Sequence, residues 1–129
     1  MVIRSNNKLK QLNLNPLSVA KFFYQKGIED YRLMQDLIYL TYREVLKKEG
    51  KVLFKEKFQA WEDCPVLESV HQQMKYHFKE HRQMNCLFDQ VEELEDKTIK
   101  PYLTKTYRDY QTAKKQGNID FFFKSEDEA

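Results

Sequence analysis

The stretch Glu29-Asp30-Tyr31-Arg32-Leu33-Met34-Gln35-Asp36-Leu37-Ile38-Tyr39-Leu40-Thr41-Tyr42-Arg43-Glu44-Val45-Leu46-Lys47-Lys48-Glu49-Gly50 decides the fold. Leu33, Met34, Leu37, Ile38, Thr41, Val45 and Leu46 recur at three- and four-residue intervals. That is the period of a helix with one broad buried face, sustained for about five turns. Glu29 and Asp30 put negative charge at the positive end of the helix dipole. Lys47 and Lys48 fall in the last turn, where cations are favoured, and Gly50 stops the helix.

Toward the N-terminus, Asn15-Pro16 reads as a cap followed by proline at the first helical position. Leu17, Ala20, Phe23 and Tyr24 continue at helical spacing, and Gly27 ends that helix. Residues 1–15 are polar and weakly basic, with scattered Leu9, Leu12 and Leu14, and are expected as a loose arm.

Toward the C-terminus the pattern changes. Val52, Leu53, Phe54, Phe58 and Trp61 are separated by Lys-Glu-Lys, which predicts a two-stranded β-hairpin near residues 52–60. Glu62-Asp63-Cys64-Pro65 reads as a breaker and the entry to another helix. Helical spacing over 66–94 predicts two helices with a break near Arg82–Asn85, with one bent helix as the alternative. Thr98 is expected to cap a last long helix with Ile99, Tyr102, Leu103, Thr106, Tyr107, Tyr110 and Ala113 on one face. The expectation is a mainly α, single compact helical domain of five to six helices over residues 16–117. Residues 118–129 form a tail carrying Ile119, Phe121-Phe122-Phe123 and Ser125-Glu126-Asp127-Glu128.

Composition narrows the class. The 129 residues are 41% hydrophobic and 33% charged, too apolar for a disordered chain and too charged for a membrane protein. Three Gly and three Pro are too few for a barrel of many short strands or for a Gly-rich nucleotide fold. Net charge is +2, but residues 1–60 carry 12 Lys/Arg against 6 Asp/Glu, and residues 61–129 carry 10 against 14. Such asymmetry suits a polar partner surface, head-to-tail self-association or a homodimer. With no apolar run near roughly 18 residues and no apolar leader at its start, the chain is expected in the cytoplasm, with Cys64 and Cys86 as free thiols and no membrane partner.

His77-Phe78-Lys79-Glu80-His81 spells H-x-x-E-H. Histidines four apart on a helix share a face, so His77 and His81 could hold one zinc while Glu80 activates a bound water. Glu92, Glu93 or Glu95 would supply the third ligand. Against this, both histidines lie on the apolar stripe, and no metal or other cofactor is expected. No Ser nucleophile elbow, P-loop or G-x-G-x-x-G is present, and neither cysteine has an evident orienting group beside a histidine. Lys47, Lys48, Lys51, Lys55 and Lys57 cluster around Phe54 and Phe58, which opens a nucleic-acid reading. Glu44, Glu49 and Glu56 interrupt that stripe and disfavour it. Tyr102, Tyr107 and Tyr110 are expected in the core, and Phe121–Phe123 either cover the core or dock a partner.

Within Leu17–Met74, the runs Ser18–Phe23, Met34–Leu40 and Gly50–Trp61 together resemble the Panacea domain, the family of SocA-like and GepA-like phage-associated proteins. Ser18-Val19-Ala20-Lys21-Phe22-Phe23 is similar to the family's V-A-x-(Y/F) element. Met34-Gln35-Asp36-Leu37-Ile38-Tyr39-Leu40 resembles L-Q-K-L-L-Y-Y. Gly50-Lys51-Val52-Leu53-Phe54-Lys55-Glu56-Lys57-Phe58-Gln59-Ala60-Trp61 matches the family's G-x-x-L-F-x-E-x-F-x-A-W block. Cys64-Pro65-Val66 stands where the family has Gly-Pro-Val, and the His and Trp of the family's C-terminal region have no counterpart here. The resemblance implies a mostly helical domain with a small hairpin. It also implies antitoxin function: direct neutralisation of a cognate toxin, with a protease as a further partner where the protein serves as an adaptor. Gln35, Tyr39, Phe54, Phe58, Trp61 and Pro65 are then motif positions, structural or partner-binding. Trp61 is either the keystone that locks the hairpin to the helices or a partner anchor.

Overall fold

A computed structural model describes residues 10–61, 64–80 and 88–117, and of residues 31, 61, 64 and 77–80 the backbone alone. The chain is mainly helical. Strand β1 (Lys10–Gln11) is followed by α1 (Pro16–Gln25), α2 (Tyr31–Glu49), β2 (Lys51–Val52), β3 (Gln59–Trp61), β4 (Cys64–Val66), α3 (Glu68–Glu80) and α4 (Lys100–Lys115).

The helix starts follow from their caps. Asn15 Oδ1 accepts from Leu17 N at 2.9 Å, with Pro16 opening α1. Asp30 Oδ1 accepts from Arg32 N at 2.9 Å and Leu33 N at 3.3 Å, satisfying donors at the start of α2 that no helical carbonyl reaches. Gly50 closes α2 in the left-handed conformation, at φ 64°, and its N–H donates to Leu46 O. A non-glycine residue is disfavoured at that φ.

Helix α2 is the axis of the molecule. It packs against α1, α4, β2 and β4, while α1 also meets α3 and α4. Met34, Leu37, Ile38, Thr41 and Val45 are fully buried along it. Phe23 of α1, Val70 and Met74 of α3, Leu103 of α4, and Leu53, Phe54, Phe88 and Ile99 complete one continuous core.

Four helices are present among the described residues, where five to six are expected. The second helix expected within 66–94 falls largely outside the described residues, and Phe88, the first described residue after that gap, is helical. Residues 81–87 lie outside the described residues, and residues 89–97 form turns and irregular chain. There the backbone carbonyls are taken by α1: Ser18 Oγ donates to Glu92 O at 2.8 Å and Lys21 Nζ to Val91 O at 2.7 Å. Phe88, Leu94 and Ile99 enter the core at intervals of six and five, spacings a helix does not place on one face. Thr98 is not the cap of the last helix. Asp96 Oδ1 accepts from Thr98 N and Ile99 N, one turn earlier.

The hairpin also shifts. Its antiparallel strands are 59–61 and 64–66, with Gln59 opposite Val66, Ala60 opposite Pro65 and Trp61 opposite Cys64. Val52 instead belongs to a parallel pair with β1. Leu53 and Phe54 are both buried, which no half-buried strand of period two allows. The segment expected as a helix entry at Cys64-Pro65 is therefore strand; in a two-stranded ribbon Pro65 can sit with its N–H-less side outward. Residues 10–14 are not loose. Leu12 N donates to Val52 O at 2.9 Å and Leu14 N to Leu53 O at 2.8 Å, and both leucines pack against the core.

Candidate functional site

The motif positions converge where the middle of α2 meets the 53–58 loop and the start of α3. Gln35 is buried, and its side chain is fully used: Nε2 donates to Leu67 O at 3.1 Å, and Leu67 N donates to Oε1 at 2.9 Å. Glu56 faces the same junction. Ser69 N donates to Glu56 Oε2 at 2.9 Å and Ser69 Oγ donates to Glu56 Oε1. A carboxylate from thirteen residues upstream thus satisfies a first-turn donor of α3 and complements its dipole. Gln59 Nε2 donates to Glu68 Oε1 at 3.0 Å, tying β3 to the same helix start.

Above this joint lies an aromatic face. Phe54 is buried and stacks with Tyr42 at 6.0 Å between centroids. Phe58 meets Tyr39 and Tyr42 edge-on, each at 5.1 Å. Tyr39, Tyr42 and Phe58 are half-buried, so each keeps part of its surface in solvent. The Arg43 guanidinium stands over the Tyr39 ring at 5.8 Å, a cation–π contact one helical turn on. Burial pushes the Tyr42 hydroxyl pKa up, and the neighbouring Tyr39 adds to the shift. Edge-to-face rings held on a long helix form a stiff, amphipathic surface with low conformational freedom, the material of protein-recognition anchors.

The flanking charges are partly committed. Lys48 pairs with Glu44 at 3.3 Å and Lys51 with Glu49 at 3.4 Å. Lys47, Lys55 and Lys57 are exposed. The basic stripe is thus shorter than its sequence suggests.

The tyrosines of α4 divide. Tyr110 is buried, whereas Tyr102 and Tyr107 are half-buried and hold α4 in place through their hydroxyls. Tyr102 OH donates to Glu49 Oε2 at 2.7 Å. That bond lowers the Glu49 carboxyl pKa and raises that of Tyr102. Tyr107 OH donates to Lys26 O at 2.9 Å and accepts from Gln111 Nε2 at 3.0 Å.

Of the expected positions, Gln35, Tyr39, Phe54 and Phe58 come together at this joint and face. Pro65 is half-buried in β4 opposite Ala60. Trp61 is in β3 across from Cys64, but its indole lies outside the described residues, as do the His77 side chain, all of His81 and Cys86, and the Phe121–Phe123 run. Among the described residues no group of three His, Cys, Asp or Glu is placed to hold a metal ion. No described helix is long and apolar enough to cross a membrane.

Sequence reasoning placed Glu56 in the Gly50–Trp61 block and among the charges that interrupt the basic stripe, and missed its role as a cap of α3. A cap supplied across thirteen residues leaves no local signature. It also missed Thr41–Thr106, a buried hydroxyl pair at 3.1 Å joining α2 to α4. Comparison with protein-family models, curated proteins and solved structures finds no match.

Proposed function

We propose that this protein is an antitoxin-like, Panacea-related binding module that neutralises a cognate toxin in the cytoplasm by direct protein–protein contact. The observation that carries this reading is the half-buried aromatic face of Tyr39, Tyr42 and Phe58 under Arg43. It is built on the helix–loop joint that the Met34–Leu40 and Gly50–Trp61 motifs supply. An inhibitor of this kind needs a preformed shape and a few rigid anchors rather than reactive groups. Tyr and Arg are the residues that most often dominate such interfaces, and holding them on α2 lowers the ordering cost of binding. The same scaffold could present a bound toxin to a protease.

Co-expression with the product of the neighbouring open reading frame tests the proposal. That product alone is expected to arrest growth, and this chain to restore it and co-purify with it. Tyr39→Ala/Arg43→Ala is expected to keep native helicity and lose rescue. A neighbour that is harmless alone, with nothing co-purifying, overturns the proposal.

A further inference from the structure

A groove of about 810 Å3 runs between the turn joining α1 to α2 and the second half of α4. Its cations are Lys26, Arg108, Lys114 and Lys115. Lys26 lies over the Phe22 ring at 5.4 Å and Lys114 over the Tyr110 ring at 6.0 Å. Arg108 and Lys115 are exposed and take part in no ion pair among the described residues. Glu29 and Asp30 are the groove's acidic residues, and the Asp30 carboxylate is engaged in capping α2. The groove therefore carries surplus positive charge beside the apolar Leu33 and Tyr110.

The opposite charge lies on the irregular segment before α4. Asp89, Glu92, Glu93, Glu95 and Asp96 fall within eight residues, with no cation among them. The segment is held to α1 through its carbonyls, since Ser18 Oγ donates to Glu92 O and Lys21 Nζ to Val91 O. The Glu93 carboxylate accepts from Gln25 Nε2 at 2.9 Å, and that of Asp96 accepts from Thr98 N at 2.8 Å. The Glu92 and Glu95 side chains are exposed and make no hydrogen bond among the described residues. Lys26 lines both the groove and the crevice that Glu93 and Leu94 border, so the positive and negative surfaces adjoin.

Adjoining surfaces of opposite charge are self-complementary about a two-fold axis. The groove of one copy meets the loop of the other while its own loop meets the other's groove. We propose that the groove receives the 89–96 loop of a second copy in such a two-fold dimer. Arg108 and Lys115 meet the partner's Glu92 and Glu95, and the contact is made twice. Exposed ion pairs are individually weak and are screened by salt, so the dimer belongs to high protein concentration and low ionic strength. Tyr39, Arg43 and Phe58 do not line the groove, so the dimer does not rest on the toxin-binding reading.

Sedimentation equilibrium of the full-length chain tests it. At roughly 100 μM protein and low salt the mass is expected to approach twice 15.7 kDa, and to return to the monomer at about 0.5 M NaCl. Arg108→Glu/Lys115→Glu and Glu92→Lys/Glu95→Lys alter exposed side chains only. Each variant alone is expected to keep wild-type helicity and to dissociate at least tenfold more readily at low salt. An equimolar mixture of the two is expected to restore the dimer, because each reversed surface then faces its opposite. A monomeric wild type at low salt overturns the proposal. So does a dimer that survives high salt or either pair of substitutions, because the interface then lies elsewhere. A mixture that stays monomeric also overturns it. Mass rising beyond the dimer overturns the two-fold arrangement, since the contact then fails to close.

Discussion

The side chain of Gln35 and the peptide groups of Leu67 exchange a reciprocal pair of hydrogen bonds, at 3.1 and 2.9 Å, across 32 residues of sequence. The pair is buried and links the second turn of α2 to the residue just before α3. A primary amide is the one side chain that both donates and accepts in the plane a peptide presents. Gln35→Ala strands the Leu67 N–H and carbonyl and leaves a cavity, and should cost about 3 kcal/mol in urea unfolding. Gln35→Glu keeps the acceptor, loses the donor and brings a carboxyl into the core. It should destabilise the fold as well, and more at neutral than at acid pH, where the carboxyl is neutral and can donate again.

Glu56 caps α3 from outside the helix, so Glu56→Ala should lower stability by about 1 kcal/mol, the ordinary worth of a lost N-cap. Ser69→Ala removes only the hydroxyl half of the contact and should cost less. The check is thermal unfolding of both variants and of the double variant. In the double variant the losses should not add, because the two residues share one contact.

Thr41 Oγ1 donates to Leu37 O at 3.0 Å and shares a hydrogen bond with Thr106 Oγ1 at 3.1 Å inside the core. Thr41→Val leaves the buried Thr106 hydroxyl without this partner and should cost about 1–2 kcal/mol, whereas Thr106→Val leaves Thr41 still donating to Leu37 O and should cost less. The double Val variant replaces both partners with apolar groups of the same shape. It should recover part of the loss, and a double-mutant cycle measures the coupling directly.

The Tyr102–Glu49 bond makes stability depend on pH at both ends. Glu49 is lowered below its ordinary 4.5, so its contribution is present above that value and is lost as pH falls through the lower folded value. Tyr102 is raised above its ordinary 10.0, so its contribution is present below that value and is lost as pH rises through the higher folded value. Wild type should therefore exceed Tyr102→Phe in Tm between about pH 5 and 10. The gap should close in strong acid and in strong base. A gap independent of pH would contradict the role given to this bond.

How much of this was legible in the sequence follows from how local each signal is. The α2 stripe, the Asn15 cap and the Gly50 stop are written within a few residues of the structure they specify, and each stands as read, while Asp30, read as charge at the start of α2, is its N-cap. The hairpin near 52–60 was displaced because pairing depends on what lies alongside. Lys51–Val52 finds Lys10–Gln11, a partner 41 residues away that no turn signal announces. The helix expected through 91–94 gives way because Ser18 and Lys21 bind its carbonyls from another helix. In the candidate face, the family resemblance singled out Tyr39, Phe54 and Phe58, but Tyr42 and Arg43 join them only through packing around Phe58 and Tyr39.

The central claim concerns a binding face, and its affinity is the quantity to measure. Calorimetric titration of the purified neighbouring gene product into the full chain should give a dissociation constant below about 1 μM, or roughly −8 kcal/mol. Tyr39→Ala/Arg43→Ala, folded to wild-type helicity, should weaken it at least a hundredfold. Equal affinity for that variant and wild type, or no heat of binding with either, would contradict the account.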